Sequence, residues 1–425
     1  MLHVLRRHQL RTYAYSSIIS IVGQAVLLVT GPLLARLYGP GSRGELALLI
    51  LVSSLLSASI AFGVPAASSY LLARGVSIQN LRASILRIFL GQCVILVSSL
   101  SVALALLSGR FHTIHPQGAF LLVPVAGLSA SYAVSVALGL RDLRRYNEIR
   151  LLPTLCYGAS VCTAFAVRAT PSMFVVLWAG WQVVSLAGAA CYLCLKQRQD
   201  LAKGPELRQD PYSVRTLLSI GRKTALAVTS PVDYVPVDQL LTAALLSNEA
   251  LGLYVVALSY SSACRLVGLT ISGPLFASVA SATVNQSQKA HKAAAVSNLA
   301  IAGFTVPIVV AVPLTLRLVF GSAFGGAETA AILLVFSGGA GAARRLNADL
   351  LRALAQPGRA SRIEIEAFSL QAIFAVLLVY PFQLTGVATA VLLSSGISYG
   401  RSLYLILRTG EDQEGSGQRL LIKPA

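Results

Sequence analysis

The feature that most limits what this chain can fold into is a succession of apolar stretches, each about 20 residues long, separated by short breaks of Arg, Lys, Gly and Pro. Hydrocarbon offers no partner for a backbone N–H or C=O, so a stretch of that length reads as a membrane-spanning helix that satisfies its own backbone. Spans are predicted at 13–36, 44–72, 84–108, 118–140, 149–167, 172–195, 222–246, 251–279, 294–316, 328–353, 363–381 and 384–407. Composition agrees: 12% of the 425 residues are charged, about half the share of a soluble domain, and the mean hydropathy is +0.71. An all-α polytopic membrane protein of about 12 spans is expected, and a soluble fold is excluded.

A net charge of +18 would suit a binder of nucleic acid, but its placement says otherwise. The basic residues sit between apolar segments and on alternate sides. With the N-terminus in the cytoplasm, 27 of the 34 Lys and Arg fall on the cytoplasmic side, including Arg6, Arg7 and Arg11, the cluster Arg141, Arg144, Arg145 and Arg150, and Lys196 through Lys223. Only Arg36, Arg43, Arg110, Arg168 and Arg317 fall on the other, while Arg265 and Arg401 lie within spans. That bias is the positive-inside rule and orients both termini to the cytoplasm, with no role for nucleic acid. Basic loop residues have anionic lipid contact as a second role. The first apolar run is too long for a signal-peptide core and lacks a cleavage site, so it reads as a retained span. Cys93, Cys156, Cys162, Cys191, Cys194 and Cys264 all lie in apolar stretches and are expected to be buried, reduced packing residues; Cys191-x-x-Cys194 has redox spacing without a βαβ setting.

One inter-span segment, Lys196 to Arg215, is long and polar, and divides the chain six spans from six. The expected organisation is an N-terminal lobe at 1–196 (spans 1–6), a cytoplasmic linker at 197–214, a C-terminal lobe at 215–408 (spans 7–12) and a cytoplasmic tail at 409–425. The halves share a pattern: Leu33 to Ala47 lies over Leu241 to Val255 with a constant shift of 208 and no gap, each an apolar helix, a short turn and a Gly opening the next helix. Parallel repeats of this kind place a substrate path between lobes.

At these residues the chain resembles the Wzx-type polysaccharide (O-antigen) translocases of the multidrug/oligosaccharidyl-lipid/polysaccharide flippase superfamily. The first hairpin of that family reads Ala-Arg-x-Leu-Gly-Pro-x-x-x-Gly, and here Ala35-Arg36-Leu37-Tyr38-Gly39-Pro40-Gly41-Ser42-Arg43-Gly44 stands in its place. Asp238-Gln239-Leu240-Leu241, the turn Glu249-Ala250-Leu251-Gly252-Leu253-Tyr254, Leu318-Val319-Phe320-Gly321 and Gly386-Val387-Ala388-Thr389-Ala390 look like its later motifs. One position departs: where the family commonly has Arg after the span 7 Asp, this chain has Gln239. The resemblance implies two six-helix lobes around a central cavity, as in MATE transporters. It implies a flippase, not an enzyme, that moves an undecaprenyl-diphosphate-linked oligosaccharide from inner to outer leaflet by alternating access for surface polysaccharide export. The setting is the bacterial inner membrane, with membrane lipids, a glycan polymerase and glycosyltransferases as partners and no cofactor.

An ionisable side chain deep in a span costs several kcal/mol without a partner or a cavity, so the intramembrane charges are the site candidates. Arg265 and Asp233 lie about 21 and 20 Å from the outer ends of spans 8 and 7, taking the helical rise, and are expected to be neighbours facing the central cavity. Two readings stand: an ion pair that fixes the hairpin, or a guanidinium offering planar recognition to a diphosphate. The resemblance implies the second, since related lipid II flippases look to carry an arginine in span 8. Asp238, about 12 Å deep, is the coupling-ion candidate, or else orients a helix bent by Pro231 and Pro236. Arg344 and Arg345 point about 100° apart; they are an inner-leaflet capture point for the diphosphate or anchors that snorkel to the interface. Tyr13, Tyr15, Ser16, Ser17 and Gln24 offer polar groups to sugars or to a neighbouring helix, and Arg36 and Glu45 are expected at the outer interface.

Other classes weigh less. A cation-coupled multidrug exporter of the same superfamily favours an acidic cavity, and the spans hold few acids. A glycan polymerase or ligase needs a large outward loop, whereas Arg110, His112 and His115 lie in a short one without a nearby acid. A scaffold for glycan assembly is the remaining class. No Gly-Lys-Ser/Thr phosphate loop and no metal-binding cluster is present in the sequence.

Overall fold

The computed structural model describes residues 2–115, 118–201, 213–228, 235–280, 282 and 285–415. Among them the regular structure is helical, and nine helices are long and apolar enough to cross a membrane. The chain is an all-α, multi-pass membrane protein. In chain order the helices are α1 Leu2–Ala61, α2 Val64–Ala73, α3 Ile78–Leu106, α4 Leu122–Gly139, α5 Leu143–Ala166, α6 Pro171–Leu201, α7 Val214–Val228, α8 Val237–Leu245, α9 Asn248–Ala280, α10 Gln286–Phe320, α11 Glu328–Ala353 and α12 Pro357–Gly415. They form two compact units, Met1–Thr229 and Ser230–Ala425. The boundary lies downstream of the expected 197–214 linker, because α7 packs on α2 and α3 within the first unit.

Helices α1 and α12 each hold two predicted spans. Sixty residues of straight helix would reach about 90 Å, three times the hydrocarbon thickness of about 30 Å. α1 therefore breaks at Gly39, with φ 71° and ψ 179°, and α12 at Gln383, with φ 48° and ψ −126°. Gly39 has no Cβ to oppose a positive φ, and Pro381, two residues before Gln383, has no N–H to give the Leu377 carbonyl and so weakens the helix there. Both breaks fall in the gaps read from the sequence. The matching turn of the second half lies at Leu246, where the backbone is extended between α8 and α9, one residue from Ser247, the counterpart of Gly39 under the 208-residue shift.

A further break was not foreseen: the second span stops at Ala61 and restarts as α2 after Phe62 and Gly63, both at positive φ. Pro65 has no N–H to give the Ala61 carbonyl. Gln92 of α3 supplies the missing donor, its Nε2 bonding Ile60 O at 2.8 Å and Ala61 O at 3.1 Å. Tyr132 of α4 orients that amide by donating its hydroxyl to Gln92 Oε1 at 2.6 Å, and Phe89 packs edge-on against the Tyr132 ring. Helix α7 lies against this break: a Cβ on Gly221 would come within 3.0 Å of Phe62 O, while Leu217 is wholly buried in the core of the unit.

The second unit is organised on α11, whose run Ser337-Gly338-Gly339-Ala340-Gly341-Ala342 lets backbones approach closely, as small residues do in membranes. Gly338 meets Ser261 of α9 and Gly339 meets Thr305 of α10, with would-be Cβ atoms 2.5 Å from each hydroxyl oxygen. Adjacent residues point about 100° apart, so two consecutive glycines seat two different neighbours. Gly268 of α9 meets Ala342 in the same way. One expectation fails on the cysteines: all six are free, but Cys162, Cys191 and Cys194 are exposed, on apolar faces directed away from the core.

Candidate functional site

In the second unit, Asp238 occupies the first turn of α8, 5% exposed, and accepts the hydroxyl hydrogen of the fully buried Tyr254 at 2.7 Å. Thr242 Oγ1 bonds the Asp238 carbonyl at 2.7 Å, closing the turn. The carboxylate thus ties α8 to α9 across the second hairpin. The residue 208 earlier, Thr30, is likewise buried and polar and bonds its own helix at Leu27 O.

On α9, Tyr254, Ser261, Arg265, Gly268 and Ser272 fall within about 60° of one another at 100° per residue. The contacts of Ser261 with Gly338, of Gly268 with Ala342 and of Ser272 with Asp349 turn this stripe toward α11. Arg265 stands in the middle of it, half-buried, opposite a helix stretch that offers small residues and no acid. Among the described residues Arg265 makes no ion pair, and Ser261 Oγ is buried without a hydrogen-bond partner. Asp233, its expected neighbour, lies outside the described residues.

Three further acids among the described residues of the unit are held. Arg344 of α11 is 4% exposed, with its Nη1 2.5 Å from Oε2 of Glu364 on α12, itself 5% exposed. Asn347, one turn further, donates to Ser402 Oγ at 3.1 Å. Glu366 pairs with Arg401 at 2.7 Å, and Asp349 takes Arg352 on one oxygen and the Ser272 hydroxyl on the other. Arg344 and Arg345 diverge as the helical angle requires: Arg345 is half-buried and engaged by other groups. Sequence reasoning missed Glu364, which carries the charge that faces Arg344. Its signal was an acid inside an apolar run, the same one that picked out Arg265.

The first unit holds a buried acid of its own. Glu45, expected at the interface, is 3% exposed and accepts from three consecutive backbone N–H groups of the loop after α3. His112 N bonds Oε1 at 3.1 Å, and Thr113 N and Ile114 N bond Oε2 at 3.0 and 2.9 Å, with Thr113 Oγ1 adding a fourth contact at 2.9 Å. Successive N–H groups form a concave anion seat, here filled from within. Ser172 fastens the loop to α6 by accepting from His115 N and donating to Thr113 O. Nearby in the chain, Arg43 is 7% exposed and its Nε and Nη1 find no hydrogen-bond partner among the described residues.

No protein-family model and no curated protein matches the sequence. Solved structures do match in shape. The lipid II flippase MurJ in an inward closed conformation superposes with a TM-score of 0.71 at 11% identity, over 93% of this chain and 87% of that one. A multidrug resistance MATE family transporter of the MOP superfamily, inward-facing, gives 0.66 at 12% identity over 95% and 100%. The fold is that of these transporters. A further MATE structure, in complex with MaD5, gives 0.60 at 14% identity over 95% of this chain. At such identity the shared feature is architecture.

Proposed function

We propose that this chain is a flippase that carries a lipid-linked oligosaccharide, held by its polyprenyl diphosphate, from the inner to the outer leaflet of the bacterial inner membrane by alternating access. The observation that carries the reading is the charge balance of the spans in the second unit. Asp238, Asp349, Glu364 and Glu366 are each occupied by a tyrosine or an arginine, whereas Arg265 carries no ion pair among the described residues. A cation exporter needs unspent negative charge; a diphosphate carrier needs unspent positive charge. In this reading Arg265 binds the diphosphate, Arg345 and Arg344 support its entry from the cytoplasmic side, and the polyprenyl tail stays in lipid. Asp238 is the coupling group, its link to Tyr254 giving a proton or cation a place to act. Both termini are cytoplasmic, and the glycosyltransferases and polymerase that make and use the cargo are the partners.

The test is reconstitution into vesicles with a fluorescent polyprenyl-diphosphate sugar. The wild-type chain is expected to move it between leaflets, and Arg265→Ala to slow that movement about tenfold or more, the loss of one charge-assisted contact. Arg265→Lys retains charge without the planar fork and falls between. Export of cationic dyes without movement of the sugar lipid would reverse the assignment to a multidrug exporter.

A further inference from the structure

A crevice of about 360 Å³ opens among α3, α4 and α6 of the first unit. Its walls are apolar, with Phe89, Val136 and Leu193 on three different helices, and its deep end is at Ser129 and Leu186. Its other end is polar: Arg82, in the second turn of α3, and Gln197, near the end of α6. Arg82 is exposed and makes no ion pair among the described residues, unlike Arg145 and Lys196 on the far side of α6, which pair with Glu148 and Asp142. Ile78, the first residue of α3, also lines the crevice, so the positive end of that helix dipole faces the same mouth.

The depth is informative. From Leu186 to Gln197 the helical rise gives about 16 Å, and from Ser129 to the end of α4 about 15 Å. That is one leaflet of a hydrocarbon core about 30 Å thick. The outer face of α3 is lipid-facing in character, with Leu86, Leu90, Val94 and Ile95 all exposed. A slot one leaflet deep, apolar along its length and cationic at the headgroup end, has the polarity of a phospholipid. We infer that this crevice is a binding site for an anionic phospholipid, with the phosphate on Arg82 and one acyl chain between α3, α4 and α6. A bound chain would lie against Phe89 and Tyr132, the residues that hold Gln92 at the break in the second span. The lipid thereby supports the segment on which α7 rests.

The experiment needs no transport assay. The detergent-purified full chain is titrated with phosphatidylglycerol and with phosphatidylcholine, and the bound lipid is counted by native mass spectrometry. One phosphatidylglycerol is expected to persist, with an affinity about fivefold or more above that of phosphatidylcholine, the contribution of one basic residue near a headgroup. Arg82→Ala should abolish the preference, and Ala190→Trp, which plugs the slot from an exposed lining position, should abolish the binding of both. Cys194 is an exposed lining residue and a native reporter: phosphatidylglycerol should protect it from a maleimide and leave the exposed Cys162 reactive. This labelling also decides the matter if Ala190→Trp does not fold. Equal affinity for the two lipids would overturn the headgroup assignment. Unchanged binding in Ala190→Trp, or unprotected Cys194, would overturn the site. Displacement of phosphatidylglycerol by a polyprenyl phosphate would overturn the phospholipid in favour of a cargo tail.

Discussion

At the scale of residues, each buried acid among the described residues has a partner, and the partner decides what the charge does. Arg344 and Glu364 form the most deeply buried ion pair among those described. Removing one member leaves the other ionised in a medium that cannot solvate it, at about 3–5 kcal/mol, whereas replacing both by apolar residues of similar volume is near neutral. Glu364→Gln is therefore expected to lower stability by about that amount, and Arg344→Met with Glu364→Leu to recover most of it, as read from thermal unfolding in detergent. A single variant as stable as the wild type would show that water reaches the pair. Asp142 shows the same rule outside the spans. Burial raises its pKa, but the Lys196 ammonium at 2.9 Å and the Arg145 backbone N–H outweigh that and leave it below the ordinary 3.8. A lowered carboxyl pKa contributes stability above pH 3.8 that fades as pH falls through the folded value. Glu45 is held without any cation, by the N–H groups of residues 112–114.

Among the elements, the broken second span is the most constructed. Two carbonyls released by Phe62, Gly63 and Pro65 would each cost about 1–3 kcal/mol if left unmet, and one glutamine amide meets both. Gln92→Leu keeps the apolar volume and removes the donor. It is expected to destabilise the protein by about 1–3 kcal/mol or more, while Tyr132→Phe, which only frees the amide to turn, costs less. Unfolding midpoints for the two variants give the comparison; equal midpoints for wild type and Gln92→Leu would mean that the carbonyls find other donors. α11 is the counterpart in the second unit, where Gly338 and Gly339 leave no room for a side chain.

For the whole molecule, the arginine and lysine distribution makes a claim about orientation that the helices alone do not. With 27 cationic residues on one side and five on the other by that reading, both termini and the segment around Lys203 are expected in the cytoplasm, and the turns at Gly39 and Ser247 outside. Cysteines placed at Lys203 and Ser247 in a background without the native thiols should differ in their reaction with a membrane-impermeant maleimide on intact cells. Ser247→Cys is expected to label and Lys203→Cys to label only after permeabilisation; the opposite pattern would invert the direction of transport proposed above.

What the chain declares by itself is what depends on neighbours in sequence. Helix length, apolarity and the turns at Gly39 and Gln383 were legible, because a helix satisfies its own backbone and the bilayer measures its length. The intramembrane candidates Arg265, Asp238 and Arg344 were legible as charges in apolar runs. Their partners were not. Tyr254 for Asp238, Glu364 for Arg344, the 112–114 loop for Glu45 and Gln92 for the carbonyls of Ile60 and Ala61 are 16, 20, 67 and more than 30 residues away. The break at Phe62 and Gly63 lay inside a continuous apolar run, where its signal, a glycine shortly before Pro65, is too common to separate from an ordinary span. Polarity and length are properties of a segment, and the sequence carries them openly; which side chain meets which is settled by helix packing, and only the tertiary structure holds that.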